Sequence, residues 1–134
     1  MRLLVLSFML GQLMAAAGFR ASIAKVDITP KTSKWLLGYG ARQSTGVHDP
    51  LFHRIVAMDD GNLKFLLVST DVCLFSPTVY DEVAERIRKA TGIPPVRFWW
   101  SVTHTHSAPE VGPPGVYKVL LKGRSEHPVD TEYT

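Results

Sequence analysis

The sequence predicts an α/β fold, in which a mixed sheet contains a β-hairpin followed by a right-handed βαβ crossover. Two observations carry this prediction: the run DDGN at residues 59–62 lies between two apolar segments, and a strongly capped helix lies between two apolar strands. The 134 residues, 46% of them hydrophobic and 20% charged, suit one globular domain. This composition excludes collagen-like, coiled-coil and wholly disordered chains.

The charged residues give no support for a nucleic-acid partner. Fifteen Lys and Arg against twelve Asp and Glu give a net charge of +3. They are scattered along the chain rather than gathered into a basic stripe with interleaved aromatics, which is the pattern that nucleic-acid grooves need. We therefore expect no nucleic-acid binding.

The first segment has the three parts of a secretory signal peptide. Arg2 supplies a positive charge, residues 3–19 are uncharged and begin with an apolar run, and residues 15–17 are all alanine. We expect a signal peptide at residues 1–17 and a mature domain at residues 18–134, secreted or extracytoplasmic, in a periplasm or at a cell surface. A membrane anchor is the alternative, although the run is short for a span and contains polar residues.

The first half of the mature chain consists of predicted strands joined by a loop and a turn. Residues 19–28 alternate loosely between apolar and polar side chains, which predicts a first strand. The glycine-rich residues 36–50 predict a long loop. Residues 54–58 and 63–70 flank the DDGN turn, so we expect them to pair antiparallel.

The second half contains the helix and the last predicted strand. Ser76 is a good N-cap, Pro77 suits the first helical position, and Gly92 suits a left-handed C-cap. The aromatic and β-branched run at residues 96–102 predicts a strand. Because a strand–helix–strand succession forms a right-handed crossover, residues 63–70 and 96–102 should lie parallel.

Three polar residues follow the predicted parallel strands and form the candidate site. Asp71 follows the first strand, and His104 and His106 follow the second. Ligands gather at the carboxyl ends of parallel strands, and in extended backbone residues two apart point to the same side. The two imidazoles are therefore candidate zinc ligands, which indicates metal-assisted hydrolysis. The alternatives are exposed or hydrogen-bonded loop histidines, and for Asp71 a carboxylate that caps backbone amides.

Other residues able to bind a metal are less favoured. His48, His53 and His127 are further ligand options, but a lone histidine without a spaced partner is more often solvated or structural. Cys73 has apolar neighbours and no basic residue close to it in sequence. We therefore expect Cys73 to be a small core residue rather than a catalytic thiolate.

Five short runs occur in an order that resembles a known family. The runs are AKVDITP at residues 24–30, GYGAR at 38–42, GVHDPLFHR at 46–54, STD at 69–71 and THTHSAP at 103–109. Together they resemble the N-terminal part of the neutral/alkaline non-lysosomal ceramidase family. The run VDTEY at residues 129–133 resembles the same family more weakly.

The resemblance implies a secreted or surface amidase that uses Zn²⁺. Such an enzyme hydrolyses the N-acyl bond of a ceramide-like lipid, converting N-acylsphingosine into sphingosine and a fatty acid, with peripheral membrane contact. By the resemblance, His104 is a zinc ligand and His106 lies beside the metal and the substrate. We expect His106 and Asp71 to be catalytic, with zinc activating water and an imidazole hydrogen-bonding the developing oxyanion.

The sequence departs from the family pattern in two ways. Ala108 stands where the family commonly has glycine. Family enzymes are also several times longer, and their remaining zinc ligands, a second His, a Glu and a Tyr, have no counterpart here. We therefore expect residues 18–134 to be a partial N-terminal ceramidase-like domain, an incomplete portion of a larger catalytic domain that is inactive alone.

Two other functions stay open. The same scaffold could serve as a non-catalytic secreted domain that binds lipid or a partner through Phe98, Trp99 and Trp100. We expect these aromatics in the core, because they lie in a strand of the buried type. The other alternative is a zinc hydrolase that acts on a different amide or ester.

Overall fold

A computed structural model of the chain describes residues 18–112 and residue 133. The predicted signal peptide at residues 1–17 and the candidate ligand His127 lie outside the described residues. The strands are β1 (Arg20–Asp27), β2 (Trp35–Leu36), β3 (Arg42–Gln43), β4 (Phe52–Asp59), β5 (Lys64–Thr70) and β6 (Phe98–Val102), and the helix is α1 (Pro77–Thr91).

The main sheet of the described region is mixed, as predicted. Its strands run in the order β1-β4-β5-β6, and β2 and β3 form a small antiparallel pair. β4 pairs antiparallel with both β1 and β5, whereas β5 and β6 are parallel. Because α1 connects β5 to β6, the predicted crossover between parallel strands is confirmed, and with it the mixed α/β fold.

The β4–β5 hairpin forms because two aspartates close its turn. The carboxylates of Asp59 and Asp60 accept hydrogen bonds from the backbone N–H groups of the following turn residues, at 2.7, 2.9 and 2.7 Å. Gly61 has a φ of 90°, which favours glycine. The predicted hairpin is confirmed, and β4 extends beyond the predicted residues 54–58 at both ends.

The helix α1 carries the caps that its sequence predicts. The Ser76 hydroxyl accepts a hydrogen bond from the N–H of Val79 at 3.3 Å, and Pro77 occupies the first turn. Gly92, with a φ of 75°, ends the helix and donates its N–H to the carbonyl of Arg88 at 2.9 Å. An N-cap of this kind contributes about 1 kcal/mol, so it fixes the helix start just beyond β5.

The helix packs on one face of the main sheet and forms the larger core cluster there. The buried residues of this cluster are Val68, Ala84 and Phe98, from β5, α1 and β6. The partly buried apolar residues around them are Ile55, Leu66, Tyr80, Val83, Ile87 and Trp100. The Tyr80 hydroxyl also donates to the carbonyl of Phe98 at 2.8 Å, so one hydrogen bond joins α1 to β6.

The opposite face of β6 is exposed in the described part of the chain. Side chains alternate along a strand, so Trp99 points away from the helix while Phe98 and Trp100 point toward it. Trp99 is 64% exposed, and its ring meets the Phe65 ring edge to face. The prediction of a core position is confirmed for Phe98, and Trp100 is half-buried. The prediction is wrong for Trp99, because α1 covers only one face of the strand.

Candidate metal centre

The parallel pairing of β5 and β6 brings the segments after both strands to one edge of the sheet. Thr70, the last residue of β5, lies opposite Val102, the last residue of β6. The N–H of Thr103 donates to the carbonyl of Thr70 at 3.0 Å, which extends the pairing one residue beyond the strands. The two segments that carry the candidate site residues therefore leave the sheet side by side.

Three potential metal donors meet at this edge, from Cys73, His104 and His106. Each offers one ligand atom, a sulfur or an imidazole nitrogen, and these atoms all lie within 4.8 Å of one another. The centroids of the two imidazole rings are 5.2 Å apart, with the rings edge to face. Cys73 is buried, His106 is half-buried and His104 is exposed. This Cys-His-His cluster thus has one side in the core and one side in solvent.

A left-handed turn places the two imidazoles together. His104 has a φ of 61°, and β6 has already ended at Val102, so the expected extended backbone is absent while the expected proximity is present. Tyr39, in the glycine-rich loop, has a φ of 58°. These are the non-glycine residues at positive φ in the described part of the chain. Such conformations cost about 1–3 kcal/mol and concentrate at functional sites.

The glycine-rich loop holds His106 from the other side. Gly38 has a φ of 99°, and a Cβ built on it would lie 2.1 Å from Nδ1 of His106, so glycine is required there. The Tyr39 and His106 rings pack with their centroids 4.4 Å apart. Arg42 donates hydrogen bonds to the carbonyls of Gly38 and His106. The GYGAR and THTHSAP motifs, distant in sequence, therefore form one structural unit.

Asp71 follows β5 but is not a member of the Cys-His-His cluster. Nη1 of Arg54 donates to both carboxylate oxygens of Asp71, at 2.7 and 2.8 Å, and the N–H of Phe52 donates to one of them at 3.0 Å. Burial acts to raise the pKa of Asp71, but the hydrogen bonds from Arg54 and Phe52 outweigh it and hold the pKa below its usual value. The structural alternative expected a carboxylate that caps backbone amides of the strand-to-helix loop, whereas these partners, Phe52 and Arg54, lie in β4. The catalytic role of Asp71 stays a prediction.

The other candidate histidines of the described region have partners of their own. Nδ1 of His53 lies 2.7 Å from the hydroxyl of Thr70, which also accepts from the indole N–H of Trp100 at 2.7 Å. Burial lowers the pKa of His53, and a nearby carboxylate opposes this shift. His48 is exposed and pairs with Asp49 at 2.8 Å, a hydrogen bond that raises the pKa of His48. Neither histidine belongs to the Cys-His-His cluster.

The expected core position of Cys73 is confirmed, but its contact with the histidines was missed. The residue is 2% exposed and packs with Leu37 and Leu74, and burial raises the pKa of its thiol. The signal that could have found the contact is register. Cys73 follows the end of β5 by three residues and His104 follows the end of β6 by two, so parallel pairing of the two ends brings them close.

The donor set fits a zinc ion. Thiolate and imidazole are the usual zinc ligands, and tetrahedral zinc places them about 3.5 Å apart, so a cluster whose donors lie within 4.8 Å needs at most about 1.3 Å of closure. Nδ1 of His106 is buried and has no hydrogen-bond partner among the described residues. An unpaired buried polar atom in a native site calls for an explanation such as an ion that orients the ring.

Comparison with known proteins identifies the fold. No protein-family profile matches the sequence. The structure is similar to the crystal structure of neutral ceramidase from Pseudomonas aeruginosa, with a TM-score of 0.59 and 23% sequence identity over 70% of this chain and 16% of that chain. A structure of a ceramidase complexed with C2 matches with the same values. The fold is ceramidase-like.

The likeness covers a small part of those enzymes, since the chain spans 16% of their length. It agrees with the fold that the motif resemblance implied. Among the described residues, no helix is long and apolar enough to cross a membrane. A groove of about 810 Å³ is lined by Thr105 and Ser107 on either side of His106, but neither imidazole of the cluster lines it. The groove therefore lies beside the donors rather than over them.

Proposed function

We propose that this chain is the N-terminal part of a zinc-dependent amidohydrolase of ceramide type, which hydrolyses N-acylsphingosine to sphingosine and a fatty acid. The observation that carries the proposal is the clustering of His104 and His106 at the sheet edge of a ceramidase-like fold. The substrate class follows from the motif resemblance together with that fold. The proposed substrate is a ceramide-like lipid, which the protein would reach through peripheral membrane contact.

In this proposal, His104 binds the zinc ion and His106 acts on the substrate. When bound, zinc polarises the amide carbonyl and lowers the pKa of a water molecule. His104 is exposed, so it faces the side from which a substrate arrives. Gly38 and Tyr39 hold the ring of His106, whose Nδ1 is buried. Its Nε2 is then the nitrogen that donates a hydrogen bond to the oxyanion forming on the amide oxygen.

Asp71 supports this site as a positioning residue. Its side chain is 12% exposed and ion-paired with Arg54, whose side chain is 47% exposed. Together with the hydrogen bond from the N–H of Phe52, this ion pair joins the start of β4 to the end of β5. Because Asp71 lies two residues before Cys73, its contacts fix the direction in which the chain leaves β5 toward the Cys-His-His cluster.

In this proposal the protein is located outside the cytoplasm, and the chain alone does not hydrolyse N-acylsphingosine. Export would be directed by residues 1–17, whose charge pattern is that of a signal peptide. The chain spans 16% of the ceramidase structures, so the substrate-binding surface and further site residues would come from sequence beyond this part.

A chimera tests the proposal. Residues 18–112 would replace the matching segment of the Pseudomonas aeruginosa neutral ceramidase, and fatty-acid release from N-acylsphingosine would be measured beside the full chain. We expect zinc-dependent hydrolysis by the chimera and none by the full chain. His104→Ala should lower the chimera's activity by about a hundredfold or more, whereas the exposed control His48→Gln should retain it. A folded, zinc-loaded chimera without hydrolysis contradicts the proposal.

The exposed sheet face supports a second candidate, a non-catalytic domain that binds lipid or a partner. Trp99 is 64% exposed beside Phe65, and Ile23 on β1 is 82% exposed. Exposed apolar patches mark interaction surfaces. If this face binds lipid, vesicles containing ceramide should shift the tryptophan emission of the full chain to shorter wavelength, and Trp99→Ala should abolish the shift. Unchanged emission would count against lipid binding.

A further inference from the structure

We propose that Arg42 is a positioning residue for the hydrolysis, and that it holds the imidazole of His106 where the ring donates to the oxyanion. The inference deepens the proposed function and rests on it for the role of His106. Arg42 lies in the GYGAR motif, and the motif resemblance implies no role for it. The observation behind the proposal is a bridge, in which one guanidinium donates hydrogen bonds to the carbonyls of Gly38 and His106.

A backbone hydrogen bond joins the glycine-rich loop to the segment after β6 just beside His106. The N–H of Leu37 donates to the carbonyl of Ala108 at 3.2 Å. The next loop residue, Gly38, lies against the His106 ring, since a Cβ built on it would lie 2.1 Å from Nδ1. The two segments are thus in contact where the imidazole sits, and the position of the ring depends on how firmly they are held together.

Arg42 supplies a link that the two backbone carbonyls cannot form with each other. The carbonyl oxygens of Gly38 and His106 are both acceptors, so neither can bond the other. The guanidinium carries only donors, which lie in one rigid plane. Its Nη1 donates to Gly38 and its Nη2 donates to His106, across 64 positions of sequence. One planar group therefore fixes the loop relative to the residue that carries the imidazole.

Both bridged segments have irregular backbones that need such support. Gly38, Tyr39 and Gly40 are consecutive residues with φ values of 99°, 58° and 94°, and His104 has a φ of 61°. Non-glycine residues at positive φ persist where the surrounding structure holds them in place. A side chain that bonds a carbonyl in each segment provides this hold, so loss of Arg42 should loosen the loop and the turn together.

The ring of Tyr39 gives Arg42 a second connection to His106. The guanidinium carbon of Arg42 lies 5.5 Å from the centroid of the Tyr39 ring, which is within the range of a cation–π contact. The centroids of the Tyr39 and His106 rings are 4.4 Å apart. Arg42 therefore reaches His106 through its backbone carbonyl and through the ring that packs on its imidazole. Both connections act on hydrolysis through the imidazole, which makes Arg42 a positioning residue.

NMR of the full chain tests whether Arg42 holds the ring in place. Nuclear Overhauser contacts between the rings of Tyr39 and His106 are expected in the unaltered chain, where their centroids are 4.4 Å apart. Arg42→Ala should lose these contacts and retain those between the core rings of Tyr80 and Phe98, which report a folded chain. Arg42→Lys should weaken the first set in the same way, and this variant covers the case in which Arg42→Ala does not fold.

Kinetics of the Pseudomonas aeruginosa chimera test the effect on hydrolysis. Arg42→Ala should lower kcat by about tenfold to a hundredfold with KM nearly unchanged, because misplacing an acting group by about 1 Å costs on the order of a hundredfold in rate. Arg42→Lys should lower kcat as well, since an ammonium lacks the planar fork. Millimolar guanidinium should restore part of the activity of Arg42→Ala. The control Arg20→Ala removes a side chain that is 75% exposed and bonds Asp59, and it should change neither the ring contacts nor kcat.

The two measurements separate a positioning role from a merely structural one. Unchanged ring contacts in folded Arg42→Ala overturn the assignment, and so does a kcat equal to that of the unaltered chimera. A fall in kcat that only matches the loss of folded protein, without a response to guanidinium, also overturns it. If the unaltered chimera does not hydrolyse N-acylsphingosine, the proposed function fails, whereas ring contacts that depend on Arg42 still support its hold on His106.

Discussion

Gly38→Ala is expected to displace the His106 ring and lower the hydrolytic activity of the chimera. A Cβ on Gly38 would lie 2.1 Å from Nδ1 of His106, and ordinary contact begins at 3.4 Å, so the ring has to retreat by about 1.3 Å (3.4 minus 2.1). Because His106 is the proposed donor to the oxyanion, a displacement of this size should lower the rate of hydrolysis by about a hundredfold. The φ of 99° adds a backbone cost of about 1–3 kcal/mol to the free energy of unfolding.

Two glycine controls separate backbone strain from the clash with the ring. Gly46 has open space around its Cα and no positive φ, so Gly46→Ala should change neither stability nor the activity of the chimera. Gly92 has open space but a φ of 75°, so Gly92→Ala should lower stability without changing the activity of the folded chimera. Urea unfolding followed by tryptophan fluorescence measures the stability, and fatty-acid release from N-acylsphingosine measures the activity. Activity in Gly38→Ala equal to that in Gly46→Ala would refute the role of the loop.

Two further substitutions test the fold that supports the site. Asp71→Asn should lower the free energy of unfolding by about 1.5–3 kcal/mol at neutral pH, because it weakens the hydrogen bonds from Arg54 and Phe52. Since the pKa of Asp71 is lowered in the folded chain, its contribution is present above about pH 4 and is lost as the pH falls through the folded-state pKa. Urea unfolding across this pH range should show this loss of stability in the unaltered chain but not in Asp71→Asn. The same pH profile in both chains would argue against a stabilising role of the Asp71 carboxylate. Phe98→Ala should cost about 3–5 kcal/mol and Trp99→Ala less than about 0.5 kcal/mol in the same assay, so equal losses would contradict the one-sided burial of β6.

The hairpin and the helix could be predicted because their signals are local. The aspartates of the DDGN turn at residues 59–62 bond to amides within three positions, and the Ser76 hydroxyl accepts from an N–H three residues away. The helix end at Gly92 is equally local. Once both elements were placed, the parallel pairing of β5 and β6 followed from the crossover rule.

The site could be predicted only in part, because its geometry depends on contacts between distant segments. The proximity of His104 and His106 followed from their spacing, although a left-handed residue rather than extended backbone produces it. Arg42 reaches the carbonyl of His106 across 64 positions of sequence, and no local pattern marks Gly38 as the glycine that contacts the imidazole. The approach of Cys73 required the register of β5 and β6, which a strand prediction alone does not supply.

The burial of β6 was overpredicted because an aromatic run does not show how many faces of a strand are covered. Phe98 and Trp100 face α1, whereas Trp99 faces the side of the sheet that the described residues leave open. The three aromatic side chains do alternate between the two faces of the strand, as expected. What the sequence lacked was the number of layers, which is a property of the tertiary structure.

The coordination shell of zinc bound to the full chain is the measurement that decides whether this sheet edge is a metal centre. X-ray absorption at the zinc edge reports the donor atoms and their distances. We predict at least one imidazole nitrogen at about 2.0–2.1 Å, from His104, with the signal altered in His104→Gln. A shell of oxygen donors alone, or a shell unchanged in His104→Gln, would contradict the metal centre.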